Sequence, residues 1–121
     1  MNDRRKHERA RPGIRINVFN LDTRQPFGNL VDISTEGIML IGDKNITATG
    51  PVHLRLELPV SINGVTELTF EACNLWSRKD DDSYYYRAGF QLKNVSDDIR
   101  KIIEMLINSP EFLNLANYIS R

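Results

Sequence analysis

The chain has 121 residues, of which 40% are hydrophobic and 26% charged, a composition typical of one soluble globular domain with a single core. No apolar run approaches the roughly 20 residues of a membrane-spanning helix. The basic N-terminus lacks the apolar stretch of a signal peptide. The single cysteine, Cys73, cannot form an internal disulfide, and these features together favour a cytoplasmic protein.

Charge is spread unevenly along the chain, although the formal net charge is +0. The first 15 residues hold two acidic side chains, Asp3 and Glu8, and six basic ones: Arg4, Arg5, Lys6, Arg9, Arg11 and Arg15. A cationic segment on a mildly acidic body fits one compact anionic ligand better than broad contact with nucleic acid. We therefore expect neither DNA nor RNA as a partner.

The first 13 residues show no helical or strand periodicity and end at Pro12 and Gly13, which predicts a flexible basic N-terminal arm over residues 1–13. The rest of the chain, residues 14–121, contains no linker and is predicted to be one domain. Alternation of apolar and polar side chains predicts six strands, at residues 14–18, 27–33, 37–41, 52–58, 68–76 and 84–93. Asn63-Gly64 predicts a tight hairpin turn.

The hydrophobic period changes near residue 96. Ser96 is a favourable N-cap, and Asp97 and Asp98 follow in the first turn, where the helix dipole favours negative charge. Ser109-Pro110 predicts the start of a second short helix, to about residue 119. The pattern therefore predicts a mainly β fold, a small six-stranded antiparallel barrel with C-terminal helices over about residues 96–119.

Two short motifs carry most of the functional information. The first is Arg5-x-x-x-Arg9, with Arg4 directly before it, and the second is Asp32-x-Ser34-x-x-Gly37 at the end of a predicted hairpin. Taken separately, arginines on a terminus are usually solvated charge, and Asp, Ser and Gly are ordinary turn residues. Their order, ahead of a series of alternating strands, favours a functional interpretation.

These motifs, with the closing segment Tyr86-Arg87-Ala88-Gly89-Phe90, resemble the PilZ domain, a bacterial receptor family for cyclic di-GMP. The resemblance covers about residues 4–106. It implies that Arg5 and Arg9 clasp the guanines and phosphates while Asp32, Ser34 and Gly37 form the floor of the site. The residue before the first motif arginine is Arg4, which by resemblance favours an intercalated pair of ligand molecules over one.

The residue types suit that ligand chemically. Arginine donates two parallel hydrogen bonds to guanine O6 and N7 or to a phosphate, and it stacks on bases. A carboxylate such as that of Asp32 accepts from guanine N1–H and N2–H₂, a donor pair that adenine lacks. Ser34 can bond a phosphate or a base edge. Gly37 permits a positive φ or a close approach of the backbone.

Trp76 is a further candidate ligand-binding residue. It lies near the end of the fifth predicted strand, where its ring could stack on a base. The alternative is a core position, because Trp76 has the same parity as Leu68 and Phe70. The sequence leaves both readings open.

Catalytic and metal-binding arrangements are not predicted. Ser34 has no accompanying His-Asp pair, and His7 and His53 are separated and have no clustered Cys or carboxylate partner. The resemblance implies a receptor or adaptor in bacterial second-messenger signalling, and the lack of these arrangements leads us to expect no enzymatic activity, no cofactor and no metal. Its ligand would be cyclic di-GMP, and the arm would wrap onto the barrel on binding and present a surface to a downstream protein.

Two other hypotheses are compatible with the sequence. The chain could be a ligand-independent adaptor that docks an acidic partner protein through the arginine arm, which requires the arginine charges but neither Asp32 nor Ser34. It could also bind single-stranded nucleic acid on a small barrel without sequence preference, which the acidic body disfavours.

Overall fold

The computed structural model describes residues 16–81 and 84–108 of the chain. These residues form six strands and one helix: β1 (Asn17–Asn20), β2 (Gln25–Ile33), β3 (Gly37–Gly42), β4 (Pro51–Ile62), β5 (Val65–Lys79), β6 (Tyr86–Lys93) and α1 (Asp97–Ile107). The strands close into a barrel in the order β1-β2-β3-β6-β5-β4, and every neighbouring pair is antiparallel. The predicted six-stranded antiparallel barrel is confirmed. The predicted arm and second helix lie outside the described residues.

The barrel core consists of the inward-facing residue of each alternating pair, as the pleat of a strand requires. In β4, Val52, Leu54 and Leu56 are buried, whereas His53 faces outward. The ring of Phe90 is buried and meets the ring of Phe27 edge-on, with 5.6 Å between ring centroids. Each fully buried Val, Leu, Ile or Phe side chain stabilises the fold by roughly 1.5–3 kcal/mol.

The helix α1 follows β6 and covers one end of the barrel. Ser96 is its N-cap, because Ser96 Oγ accepts a hydrogen bond of 3.2 Å from the amide of Ile99. The buried face of α1, which packs against β4, consists of Ile102, Ile103, Leu106 and Ile107. The amphipathic helix predicted from the sequence is therefore present. Among the described residues, no helix is long and apolar enough to cross a membrane.

The loop between β3 and β4 closes the opposite end. Ile46 is buried, and its Cδ1 lies beside two glycines, Gly28 of β2 and Gly42 of β3. A Cβ added at either glycine would approach Ile46 Cδ1 to 3.3 Å and 3.2 Å respectively. The two glycines thus leave the space that this plug residue occupies.

The last strand differs from its prediction, because it begins at Tyr86 and not at residue 84. Tyr84 and Tyr85 precede it and are 87% and 50% exposed. The cause is that β5 extends to Lys79, which pairs with Tyr86, so Tyr84 and Tyr85 lie in the connection between the two strands. The amide of Asp80 donates a 2.9 Å hydrogen bond to the Tyr85 carbonyl within that connection.

Candidate functional site

A β-bulge in β2 directs Asp32 to the outer surface of the barrel. Leu30 pairs with Leu40 and faces the core, but the register shifts before Asp32, which pairs with Met39. One extra residue in a strand reverses the face of the residues that follow it. Asp32 therefore lies on the outward side of the sheet although it is two residues from an inward leucine. Its side chain is nevertheless 0% accessible to solvent.

A second bulge, in β5, does the same for Trp76. Asn74 pairs with Phe90, whereas Trp76 pairs with Gly89, so Leu75 is the extra residue. The indole is consequently 40% exposed and lies on the outer face, while Phe70 is buried inside. The core alternative, based on the parity that Trp76 shares with Phe70, is thereby excluded. Contact of Trp76 with a ligand stays a prediction.

The Trp76 indole packs directly against Gly89. A Cβ at this glycine would lie 2.6 Å from Cε2 and 3.0 Å from Cδ1 of Trp76, and closer still to Nε1. Real Cβ contacts are never this short, so only glycine lets the nitrogen-bearing edge of the indole lie against the β6 backbone. Gly89 was part of the motif that resembled the PilZ family, but the sequence did not indicate this role.

Asn74 fixes the bulge from both sides. Its Nδ2 donates hydrogen bonds to the Trp76 carbonyl at 3.0 Å and to the Gly89 carbonyl across the sheet at 3.2 Å. Its Oδ1 accepts from Ser77 Oγ at 3.1 Å, and Ser77 Oγ also contacts the Ile46 carbonyl. Sequence reasoning missed Asn74; a polar amide at a nominally inward position of a strand is the one signal that could have found it.

The two bulges bring Asp32 and Trp76 into one transverse row. The register pairs Asp32 of β2 with Met39 of β3, Met39 with Gly89 of β6, and Gly89 with Trp76 of β5. Neighbouring strands are about 5 Å apart, so the row spans roughly 15 Å of the outer surface. We call these four residues the transverse row. It joins two residues that are far apart in the sequence.

Ser34 and Gly37 close the β2–β3 hairpin at one edge of this surface. Ser34 Oγ accepts hydrogen bonds from the amides of Glu36 and Gly37, both at 3.2 Å, and it lies 3.4 Å from the Gly37 carbonyl. Among the described residues, the glycines with positive φ are Gly50 and Gly64, so Gly37 does not use this freedom. Ser34 is only 1% exposed, and its hydroxyl stabilises the turn. Direct contact of either residue with a ligand stays a prediction.

Glu36, inside the second motif, connects the hairpin to the rest of the fold. Its carbonyl accepts a 2.9 Å hydrogen bond from the amide of Leu92, and its carboxylate pairs with Arg100 of α1 at 3.2 Å. The two side chains are 47% and 40% exposed, so this ion pair stabilises the fold by well under about 1 kcal/mol. This pair could not be predicted from the sequence, because its partners are 64 residues apart.

The remaining predicted site residues, Arg4, Arg5 and Arg9, lie outside the described residues. Within the described ranges, no group of three or more His, Cys, Asp or Glu side chains could hold a metal ion. His53 lies 3.5 Å from the carboxylate of Asp22, with both side chains 58% exposed. The transverse row and the adjoining hairpin are therefore the candidate site that the structure presents.

Comparison with known proteins agrees with this architecture. The family model of the PilZ domain matches residues 3–109, so the chain belongs to the PilZ domain family. Among curated proteins, no sequence relative was found.

Several solved structures share the fold. The Bacillus subtilis inhibitor of motility MotI/DgrA aligns with a TM-score of 0.71 and 14% identity over 88% of this chain and 50% of that one. The PilZ domain of YcgR from Escherichia coli, solved with c-di-GMP, aligns with a TM-score of 0.70 and 15% identity over 98% of both chains. The MrkH–c-di-GMP complex from K. pneumonia aligns with a TM-score of 0.64 and 17% identity over 100% of this chain and 57% of that one. The chain thus spans about half the length of MotI and MrkH and nearly all of the YcgR domain.

Proposed function

We propose that this chain is a cyclic di-GMP receptor that acts by binding and not by catalysis. The observation that carries the proposal is the transverse row, because it places the carboxylate of Asp32 and the indole of Trp76 on one outer surface. Membership of the PilZ family and the c-di-GMP complexes of YcgR and MrkH support it.

The roles follow from the chemistry of the side chains. Asp32 accepts from N1–H and N2–H₂ of guanine, and the 40% exposed ring of Trp76 stacks on a base. Arg5 and Arg9 pair with guanine edges and phosphates through their guanidinium forks. Gly37 and Ser34 shape the hairpin that borders the ligand. Arg4 favours an intercalated pair of ligand molecules.

The burial of Asp32 gives the binding event a conformational component. The side chain is 0% accessible in this structure, so a direct contact with guanine requires a rearrangement that exposes the carboxylate. Wrapping of the arm over residues 1–13 onto the barrel accompanies this step, and the surface created then recruits a downstream protein. The cost of ordering the arm is met from the binding free energy.

Titration calorimetry with cyclic di-GMP tests the receptor function directly. We expect saturable binding by the wild type, with one or two ligand molecules per chain. The double variant Arg5→Ala/Arg9→Ala should lose binding. Asp32→Asn should weaken it by about tenfold or more, because the amide replaces one acceptor by a donor facing N1–H or N2–H₂.

Two controls separate this proposal from docking of an acidic partner by charge. Arg5→Lys/Arg9→Lys preserves the charges but removes the planar guanidinium donors. Guanine recognition should therefore fail, while docking by charge would survive. Lys44→Ala removes an exposed cation from the β3–β4 loop, away from the hairpin, and should leave the affinity unchanged. Failure of the folded wild type to bind cyclic di-GMP would contradict the proposal.

A further inference from the structure

Arg78 lies against Trp76 on the outer face of β5. The two residues are two positions apart after the bulge, so both face outward, and both are exposed. The Arg78 Cζ is over the Trp76 ring, 5.4 Å from its centroid. A comparable contact elsewhere on the barrel, Arg55 Cζ over the Phe19 ring, measures 4.4 Å to the centroid. In a stacking layer about 3.5 Å above the ring, a Cζ at this distance from the Trp76 centroid is displaced roughly 4 Å sideways from it, which leaves part of the ring open to a base.

Among the described residues, the guanidinium of Arg78 has no carboxylate partner, unlike the other arginines near this surface. Arg87 Nε is 3.0 Å from both carboxylate oxygens of Asp80, and Arg100 pairs with Glu36 at 3.2 Å. Within the part of the chain that the structure describes, Arg78 forms no ion pair and donates no side-chain hydrogen bond. No described residue therefore occupies its donors, and a ligand can accept from them.

The position of Arg78 also favours an incoming acceptor. It pairs across the sheet with Arg87, and like charges directly opposite each other are unfavourable. Asp80 neutralises Arg87, but Arg78 has no such compensation among the described residues. Acceptors supplied by a ligand would satisfy the donors of Arg78 and offset this repulsion.

The geometry of stacking identifies which acceptors these are. A base that stacks on an indole lies in a layer about 3.5 Å above it, and a guanidinium packed on the same ring lies in that same layer. The guanidinium and the base edge are then side by side. Two parallel hydrogen bonds in that plane match O6 and N7 of guanine, whereas adenine presents a donor in place of O6.

We propose that Arg78 is a specificity-determining residue that binds the O6 and N7 edge of the guanine stacked on Trp76. The inference rests on the proposed cyclic di-GMP function and adds to it a residue outside both sequence motifs. Arg78 and Trp76 act together: the indole stacks on the base, and the guanidinium donates hydrogen bonds to O6 and N7 of that base. Lysine at this position would keep the charge but lose the paired, planar donors.

The test compares two ligands, cyclic di-GMP and its 7-deazaguanine analogue, which has CH in place of N7. Calorimetry with both ligands is carried out on the wild type, Arg78→Met, Arg78→Lys and the neighbouring control Lys79→Met. In the wild type the analogue should bind about tenfold more weakly than cyclic di-GMP. Arg78→Met and Arg78→Lys should each lower the affinity for cyclic di-GMP about tenfold, and in both the preference for N7 should shrink or vanish. Lys79→Met should retain the full preference.

Trp76 is the single tryptophan of the chain, so its fluorescence reports base stacking and folding in every variant. We expect ligand at saturation to quench Trp76 fluorescence to the same extent in Arg78→Met and in the wild type. An unchanged N7 preference in the folded Arg78 variants would overturn the inference while leaving the receptor function intact. Absence of cyclic di-GMP binding by the wild type would overturn both.

Discussion

At the scale of single residues, the candidate site depends on one missing side chain. Gly89 has no Cβ, and this absence lets the indole of Trp76 lie against β6. Ser34 is a motif residue that was expected to face a ligand. In the structure its hydroxyl instead accepts hydrogen bonds from the amides of Glu36 and Gly37. The residue types in the motifs could be found in the sequence. Their hydrogen-bond partners could not, since a serine in a turn and a serine at a ligand have the same local sequence.

Gly89→Ala should displace the indole, because the new Cβ would overlap Trp76 Nε1 and Cε2. The Trp76 emission should shift to longer wavelength as the ring becomes more exposed, and the affinity for cyclic di-GMP should fall. The free energy of unfolding should decrease by up to about 1–3 kcal/mol, the usual cost of overpacking. Fluorescence and urea unfolding measure the two effects.

The matched control for this change is the same substitution in a Trp76→Ala background. Without the indole there is no overlap, so Gly89→Ala should there be neutral or slightly stabilising, since alanine lowers the entropy of the unfolded chain. An equal loss of stability in both backgrounds would show that Gly89 serves the strand and not the tryptophan.

At the scale of elements, the site is made by two irregular strands on either side of a regular pair. The strands β3 and β6 pair without a shift, whereas β2 and β5 each contain a bulge that moves a residue from the core side to the outer side. Alternation in the sequence predicted the six strands but left open whether Trp76 shares the inward face of Phe70. A bulge is set by hydrogen bonds to the neighbouring strand, so the alternation of one strand does not reveal it.

Asn74→Asp should loosen the β5 bulge while it preserves the size of the side chain. The change removes the Nδ2 donor that binds the Trp76 and Gly89 carbonyls and brings a carboxylate toward both. Two lost hydrogen bonds predict a decrease of about 1–3 kcal/mol in the free energy of unfolding, together with a change in Trp76 emission. Chemical unfolding followed by fluorescence measures both.

Asn45→Asp makes the same chemical change at an exposed position of the β3–β4 loop. It should alter the free energy of unfolding by no more than about 0.5 kcal/mol. If Asn74→Asp behaved like this control, the hydrogen bonds from Asn74 to the Trp76 and Gly89 carbonyls would contribute nothing measurable to stability.

At the scale of the whole molecule, closure of the barrel joins parts of the site that are distant in the chain. The β3–β6 pairing is the step that places the β2–β3 hairpin beside the β5–β6 hairpin. At one end of the barrel, α1 is connected to the site hairpin through Arg100 and Glu36. A ligand bound across the transverse row would therefore contact four strands at once and stabilise the barrel as a unit.

Cyclic di-GMP should accordingly raise the melting temperature of the protein. At a free ligand concentration of about 100 times Kd, binding to the native state alone adds about 2.7 kcal/mol. For a domain of this size the shift is on the order of 10 °C, measurable by scanning fluorimetry. Cyclic di-AMP at the same concentration should give no shift, and an equal shift with both dinucleotides would contradict guanine recognition.

The sequence by itself determined the class of fold and the chemistry of the motifs. Alternation, the Asn63-Gly64 turn and the Ser96 cap are local signals, and each of them has the predicted structure because local backbone preferences decide it. Only the tertiary structure decided the face of Trp76, the use of the Ser34 hydroxyl and the roles of Gly89 and Asn74. These features depend on which strands are neighbours and where their register shifts, and that information is distributed over residues far apart in the chain.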